Sequence, residues 1–488
     1  MAGIGVRLNK IYSKHTIITN VAGFGYSTVV TVAPMFLVIL AVIIMQLTLG
    51  FSKVGYSDRA LYSCTVLYIF IFSLLTASPF NAVLSRYMSD VIYRESYEDI
   101  LPCYYVGMLM NAVLSALLGI PFCIREHIVG QVPIPYVFAG YCGYMALALV
   151  FYSMLYLSIC KDYKKISFFF FIGMAVTVLL SFVLVKLFHM EVTFGMLISM
   201  DVGFLVIASL ELALIRSYFR ENSGKYREVL GYFKYNWQLV GANFLYTLGL
   251  YVHNFVFWTT DMRMEVAKSF VCAETYDMAT CLAMFTNISA SVIFISRVEM
   301  HFHERYKKYS EAVIGGRGMD IENAKKRMFE QLAEELMNLV RVQFIVSVVV
   351  FFLCIIFLPK LGFGGLVMQI YPCLAAGYFI LFIMYAAIIF LYYFNDLNGA
   401  LVTALSFTLV TVICSILAAG LTPIWYGIGL VIGAVVGWCV AYYRLRLMEK
   451  NLDTHIFCNG SIMKRGNGKR PSNRVYEHKF KALAEKGW

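Results

Sequence analysis

A chain of 488 residues that is 60% hydrophobic and only 14% charged, with a mean hydropathy of +0.72, is too apolar for an ordinary water-soluble domain. Its net charge of +11 sits mostly in the gaps between apolar stretches, so it calls for no nucleic-acid partner. The 12 Cys are scattered mostly singly with no C-x-x-C pair, and are expected to serve as small packing residues.

A helix crosses a bilayer with about 20 apolar residues. In chain order such stretches run near Tyr26 to Leu49, Leu61 to Leu84, Pro102 to Ile124, Val132 to Ile159, Ile166 to Leu187 and Thr193 to Ile215. A second series follows near Leu239 to Thr260, Tyr276 to Ser296, Gln343 to Leu358, Val367 to Phe394, Gly399 to Gly420 and Pro423 to Tyr443. The expected fold is therefore all-α and polytopic, with about twelve transmembrane helices in two six-helix bundles. The expected units are residues 1–215, a cytoplasmic linker at 216–238, residues 239–443 with a cytoplasmic helical extension at 297–342, and a basic tail at 444–488.

Basic residues set the orientation, because cytoplasmic loops retain Lys and Arg. With the N-terminus inside, about 33 of the 40 fall on the cytoplasmic side and about 7 outside. Both termini are then cytoplasmic and the basic tail lies near the inner leaflet. Met1 to Asn20 has no apolar core followed by a small-residue cleavage site, so no removable signal peptide is expected.

Proline marks the first, second and tenth spans, at Pro34 (after Gly23 and Gly25), Pro79 and Pro372. Each removes a backbone hydrogen bond and is a candidate bend. Arg86 and Asp90, four residues apart at the inner end of the second span, can pair on one helix face, as a cytoplasmic gate or a membrane boundary.

Two tyrosine rows stand out. Tyr141, Tyr144, Tyr152 and Tyr156 share a face of the fourth span, and Tyr371, Tyr378, Tyr385 and Tyr392 recur at seven-residue steps in the tenth. They are candidates for aromatic walls facing each other across a central path, where phenol rings stack on sugars, or else for helix packing.

Ionisable groups at bilayer depth are costly and mark candidate sites. Asp201, two turns into the sixth span, is the strongest: it can bind a proton or Na⁺, or hydrogen-bond cargo. Glu211 is expected to reach Arg216. His253 and Asn254 lie in the seventh span, where a neutral, satisfied histidine competes with a proton carrier. Trp237 and Trp258 flank that span as interface anchors.

The long loop Arg297 to Arg341 keeps helical spacing through Phe302, Tyr306, Tyr309 and Val313. Gly315, Gly316 and Gly318 interrupt it, and Ile321, Ala324, Met328, Leu332, Leu336 and Leu339 resume it. Asp320 is a plausible N-cap for the second piece. His301 and His303 beside Glu304 lack a second ligand pair, so no metal site is expected. No P-loop, dinucleotide fingerprint or G-x-S-x-G motif occurs; neither enzymatic activity nor a cofactor is expected.

The opening MAGIGVRLNK, the stretch SRYMSDVIYRESYEDILP from Ser85 to Pro102, the long block ETYDMATCLAMFTNISASVIFISRVEMHFHERYKKYSEAVIGGRGMDIENAKKRM from Glu274 to Met328, and YFND at Tyr393 to Asp396 resemble the PelG family of Pel exopolysaccharide exporters. The resemblance extends over essentially the whole chain. It implies a flippase-like or MATE-like fold of about twelve spans. It also implies export of an N-acetylgalactosamine-rich polysaccharide across the cytoplasmic membrane, as in biofilm-forming exopolysaccharide biosynthesis. The implied partners are a PelF-like cytosolic glycosyltransferase and membrane scaffold subunits that include a cyclic-di-GMP receptor. Where His253 and Asn254 stand, many relatives have an acid followed by a lysine, which leaves any ion pair there in doubt. On this reading the glycosyltransferase docks on the extension, through Lys307, Lys308, Lys325, Lys326 and Arg327. The alternative is an ion-coupled small-molecule antiporter on a similar scaffold, for which the long extension has no evident use.

Overall fold

The structure is a computed structural model that describes residues 17–94, 96–159, 162–287, 299–361 and 364–459. In the first half, α1 (Ile17–Thr48), α2 (Tyr56–Tyr93), α3 (Ile100–Ile128), α4 (Ile134–Ile159), α5 (Tyr163–Phe182, ending in a π-helical turn, Val183–Leu187) and α6 (Val192–Tyr218) follow one another. A short helix, α7 (Tyr226–Tyr235), leads into α8 (Trp237–Phe257). A β-hairpin, β1 (Met264–Ala267) and β2 (Phe270–Cys272), separates α8 from α9 (Glu274–Asn287). Then come α10 (Glu299–Gly315), α11 (Gly318–Phe357), α12 (Leu366–Tyr393), α13 (Leu397–Ala418) and α14 (Ile428–Asn459). Among the described residues nine helices are long and apolar enough to cross a membrane: α2 to α6 and α11 to α14. The apolar part of α1 adds the shorter segment Ala33–Thr48. The fold is all-α and polytopic. Of the eighth expected span, residues 288–296 lie outside the described residues, as do the opening ten residues and the tail beyond residue 459.

The helices pack in a repeated pattern. In the first half the contacting pairs are α1 with α5, α2 with α4, α3 with α4, α4 with α6 and α5 with α6. In the second half α8 packs on α13, α9 on α12, α11 on α12, α12 on α14 and α13 on α14. Position for position the pairings are the same, as two copies of one six-helix unit require. The last two helices of each half approach through small residues, because glycine lets backbones come close where lipid supplies no hydrophobic drive. Gly203 of α6 lies against Thr177 and the Gly173 carbonyl of α5; Gly429 and Gly433 of α14 lie against Ser415 and Thr411 of α13. The two main clusters of buried side chains follow the halves, one almost wholly in each.

Pro34, Pro79 and Pro372 lie inside α1, α2 and α12, which run through them as single helices. Pro79 strips the Leu75 carbonyl of its usual donor, and the Ser78 hydroxyl donates to it instead at 2.9 Å. Two connections between spans carry regular structure. The 216–238 linker contains α7, whose Val229 is buried while Tyr226, Leu230 and Tyr235 are exposed. The hairpin was missed: of its seven strand residues only Val266, Phe270 and Val271 are strongly β-prone, too few to stand out beside apolar helices.

Candidate translocation site

Asp201 is buried in α6, and among the described residues its Oδ1 has no hydrogen-bond partner. Room for it is made by Gly143 of α4, where a Cβ would collide with Asp201 Oδ1 and press on Ile69. Tyr62 and Tyr136 lie near it. The Tyr62 hydroxyl is also buried and has no partner among the described residues, and that of Tyr136 donates to Thr65 Oγ1 at 3.5 Å. A carboxylate and a phenol left open inside one half make a polar niche able to take a proton, a small cation or a sugar hydroxyl. The expected contact from Glu211 to Arg216 is not made. Five residues apart they lie about 140° around the helix, so Glu211 is buried and Arg216 exposed. Among the described residues neither Glu211 carboxylate oxygen has a partner.

The second half holds a buried carboxylate that is satisfied instead, although Asn254 Oδ1 beside it has no partner among the described residues. Asp277 of α9 accepts hydrogen bonds from Asn254 Nδ2 (2.7 Å), the Trp258 indole (3.0 Å) and the Ala273 backbone N–H (3.0 Å). Asn254 also donates to Thr280 at 3.2 Å. His253, fully buried, has Tyr276 Oη 2.9 Å from Nδ1 and Tyr378 Oη 3.3 Å from Nε2. The Tyr378 hydroxyl donates to the Leu250 carbonyl at 2.9 Å. His253, Asn254 and Tyr378 are thus brought together, and Trp258, expected at the interface, is a buried member of their cluster. Asp277 escaped the sequence reading because it stands at the edge of an apolar run; its place inside the specific ETYD block was the available signal.

The two tyrosine rows are not opposed across a path. Tyr152 donates to the Tyr104 carbonyl at 2.7 Å and lies 2.9 Å from the Tyr156 hydroxyl, which lies 3.4 Å from Cys103 Sγ, all within the first half. Tyr144 and Tyr141 pack around Gly119 of α3. In the second half Tyr371 shares a 2.7 Å hydrogen bond with Thr286, and Tyr385 stacks on Tyr246 with ring centroids 4.4 Å apart. Tyr392 is half-buried in the same half. The shared faces, set in α12 by seven-residue steps, are turned into each bundle, where the hydroxyls of Tyr152 and Tyr156 join α4 to α3 and those of Tyr371 and Tyr378 join α12 to α9 and α8.

The halves meet chiefly where α2 lies along α8. Phe72 stacks on Phe255 (5.8 Å), Tyr68 on Trp258 (4.8 Å), and Asn243 donates to the Ser78 carbonyl. Each end of the bundle adds a link. At the end holding α10, Arg86 does not pair with Asp90. Its Nη2 donates to Asn395 Oδ1 at 2.6 Å, while Asp90 accepts from the Tyr232 hydroxyl of α7 at 2.7 Å. Asn395 reaches across because it takes a left-handed turn (φ 59°) between α12 and α13. The next residue, Asp396, caps α13 through the Gly399 N–H and is held by Arg444 at 2.6 and 2.9 Å. At the other end the β-hairpin of the second half lies on the first. Ser269 donates to Glu126 Oε2 (2.6 Å), Lys268 to Gln131 Oε1 (3.1 Å) and Tyr68 to the Val271 carbonyl (2.7 Å).

α10 and α11 form an antiparallel pair, and α11 is one 40-residue helix that unites the second part of the extension with the ninth span. At about 1.5 Å per residue it is near 60 Å long, twice the hydrocarbon thickness of a bilayer. The pair is anchored at its base: Phe302 packs on Phe390 (4.8 Å) and Phe329 on Phe394 (5.2 Å). Asp320 is not the N-cap. It lies in the first turn of α11, where its Oδ2 accepts from the Arg317 N–H at 3.0 Å. Lys307, Lys308, Lys326 and Arg327 are exposed and Lys325 is half-buried. The side chains of His301 and His303 lie outside the described residues. Among the described ones no three His, Cys, Asp or Glu residues form a group fit to hold a metal ion.

A family model described as "PelG: Putative exopolysaccharide Exporter (EPS-E)" matches residues 1–457. No protein of curated function matches the chain. Among solved structures, an inward-facing multidrug-resistance MATE transporter of the MOP superfamily is 12% identical with a TM-score of 0.60, over 87% of this chain and 96% of that one. An outward-facing MATE structure gives 13% identity and a TM-score of 0.58 over 88% and 96%. A MOP-superfamily transporter from Pyrococcus furiosus, whose binding pocket is described as having reverse polarity, gives 12% and 0.58 over the same shares. At these identities the likeness is one of fold.

Proposed function

The chain belongs to the PelG family of exopolysaccharide exporters, and from that membership we propose that it carries a Pel-like, N-acetylgalactosamine-rich polymer across the cytoplasmic membrane, as a transporter and not an enzyme. The observation that carries this reading is the family match over residues 1–457, which takes in both half-bundles, the hairpin and the α10–α11 pair. The end holding α10, α7 and the Arg86–Asn395 link then faces the cytoplasm, both termini with it, and the hairpin faces outward, as the distribution of Lys and Arg requires. Polymer passes along the seam of α2 and α8 as the end links open in turn. The tyrosine rows keep each half rigid, and Asp201 offers a hydrogen-bonding or protonatable group beside α2.

A PelF-like glycosyltransferase docks on α10–α11, which extends well past the bilayer, and scaffold subunits with a cyclic-di-GMP receptor complete the assembly. The apolar tip residues Ile314 and Met319, both exposed, sit beside the basic side chains and favour a protein partner there. Reversing Lys307, Lys308, Lys326 and Arg327 to Glu is expected to abolish co-purification with that enzyme, and unchanged binding would place the dock elsewhere. The unpartnered Asp201 carboxylate also suits an ion-coupled antiporter of small molecules. Reconstitution with the synthase, counting polymer on each side of the vesicle with and without a proton gradient, separates the readings. Polymer confined to the synthase side under both conditions rejects export.

A further inference from the structure

Cys64 and Cys272 are 208 residues apart in sequence and belong to different halves, yet they meet. Both are buried, and with Phe270 they form a small apolar cluster of their own, over which Tyr68, Phe122 and Met264 close. Both thiols are free, and both are packed inside that one cluster. The surrounding contacts hold them there. On α2, Tyr56 donates to Met264 Sδ at 3.2 Å and Tyr68 to the Val271 carbonyl, so Cys64 lies between two points where the helix is tied to the hairpin. On the hairpin, Cys272 follows Val271 and is paired in register with Met264.

We propose that Cys64 and Cys272 form a reversible disulfide that staples the hairpin of the second half to α2 of the first and holds the outer end shut. The proposal rests on the orientation proposed above, which sets the hairpin in the extracytoplasmic space, where disulfides persist. The oxidant is a disulfide-bearing exchange protein or small disulfide of that space. When the hairpin lifts, one thiol, as thiolate, attacks a sulfur of the oxidant, forming a mixed disulfide and expelling the first oxidant thiolate. On redocking, the second cysteine attacks the protein sulfur of that mixed disulfide and expels the second. Two protein thiols become one disulfide, the oxidant disulfide is reduced to two thiols, and both protein protons pass to the expelled thiolates. Oxidation is thereby coupled to opening: only a working exporter exposes the pair, and the product stops it.

The test uses the full chain in cells that make polymer. Cells are treated with oxidised glutathione, free thiols are alkylated, and the protein is digested without reductant. A peptide joining Cys64 to Cys272, with loss of export that dithiothreitol restores, is the expected result. Cys64→Ser and Cys272→Ser each lose the joined peptide and keep exporting under oxidant. Two separately alkylated cysteines after oxidation overturn the pairing. Lys268→Cys, at the exposed hairpin turn, reports orientation through a membrane-impermeant maleimide: no labelling of intact cells overturns redox control from outside. Absence of export in untreated cells, with the joined peptide still formed on oxidation, discards the exporter reading and leaves the pairing standing.

Discussion

Asp201 and Asp277 are both buried in the helical body, one in each half, and they differ in their company. Asp277 has three donors arranged around it, and the group that contains it ties α8 to α9 and, through His253 and Tyr378, to α12. Among the described residues Asp201 has an oxygen with no donor, a glycine in place of a neighbouring side chain, and a phenol equally without a partner. A buried polar group that is satisfied rigidifies; one left open is costly and persists where something else fills it. The two halves share one helix-pairing scheme but treat their buried carboxylates differently, Asp277 being pinned and Asp201 open.

That contrast breaks in measurable ways. Asp277→Ala leaves the Trp258 indole, the Asn254 amide and the Ala273 N–H without their acceptor, and is expected to cost about 3 kcal/mol, read as a lowered unfolding temperature in detergent. An unchanged temperature would show that the second half is not pinned there. Gly143→Ala drives a methyl into Asp201 Oδ1 and is expected to cost about 2 kcal/mol, part of which Asp201→Ala restores in the double variant. Strict additivity would mean that the two positions do not meet. Tyr378→Phe removes the hydroxyl shared by Leu250 and His253 and is expected to cost about 1 kcal/mol without loss of export. Asp201→Asn has the smallest effect on stability, within about 0.5 kcal/mol, because no donor is orphaned by it. Its effect falls on export instead, and destabilisation matching that of Asp277→Ala would erase the distinction between the halves.

Much of the fold was legible in the chain because its signals are local. A run of apolar residues long enough for a bilayer marks a helix wherever it falls. Asp201, His253 and Asn254 were visible for the converse reason, as polar groups interrupting such runs. Periodicity showed that the tyrosines of α4 and α12 share faces, and it carried no information on where those faces point. α7 and the hairpin were missed because an amphipathic ten-residue helix and seven strand residues give weak patterns beside membrane spans.

By itself the sequence determined an all-α, many-spanning membrane protein of the exporter family, with buried polar positions as candidate sites. Only the tertiary structure decided which of those positions are satisfied. It set Arg86 against Asn395 across 309 residues instead of against Asp90 four residues away, gave Asp277 its donors, left Asp201 Oδ1 without one among the described residues, and gathered Cys64 and Cys272 into one buried cluster. Helix formation in lipid is settled within each segment by its own backbone hydrogen bonds. The partner of a buried side chain is settled by whichever distant segment packs against it, and no local pattern records that choice.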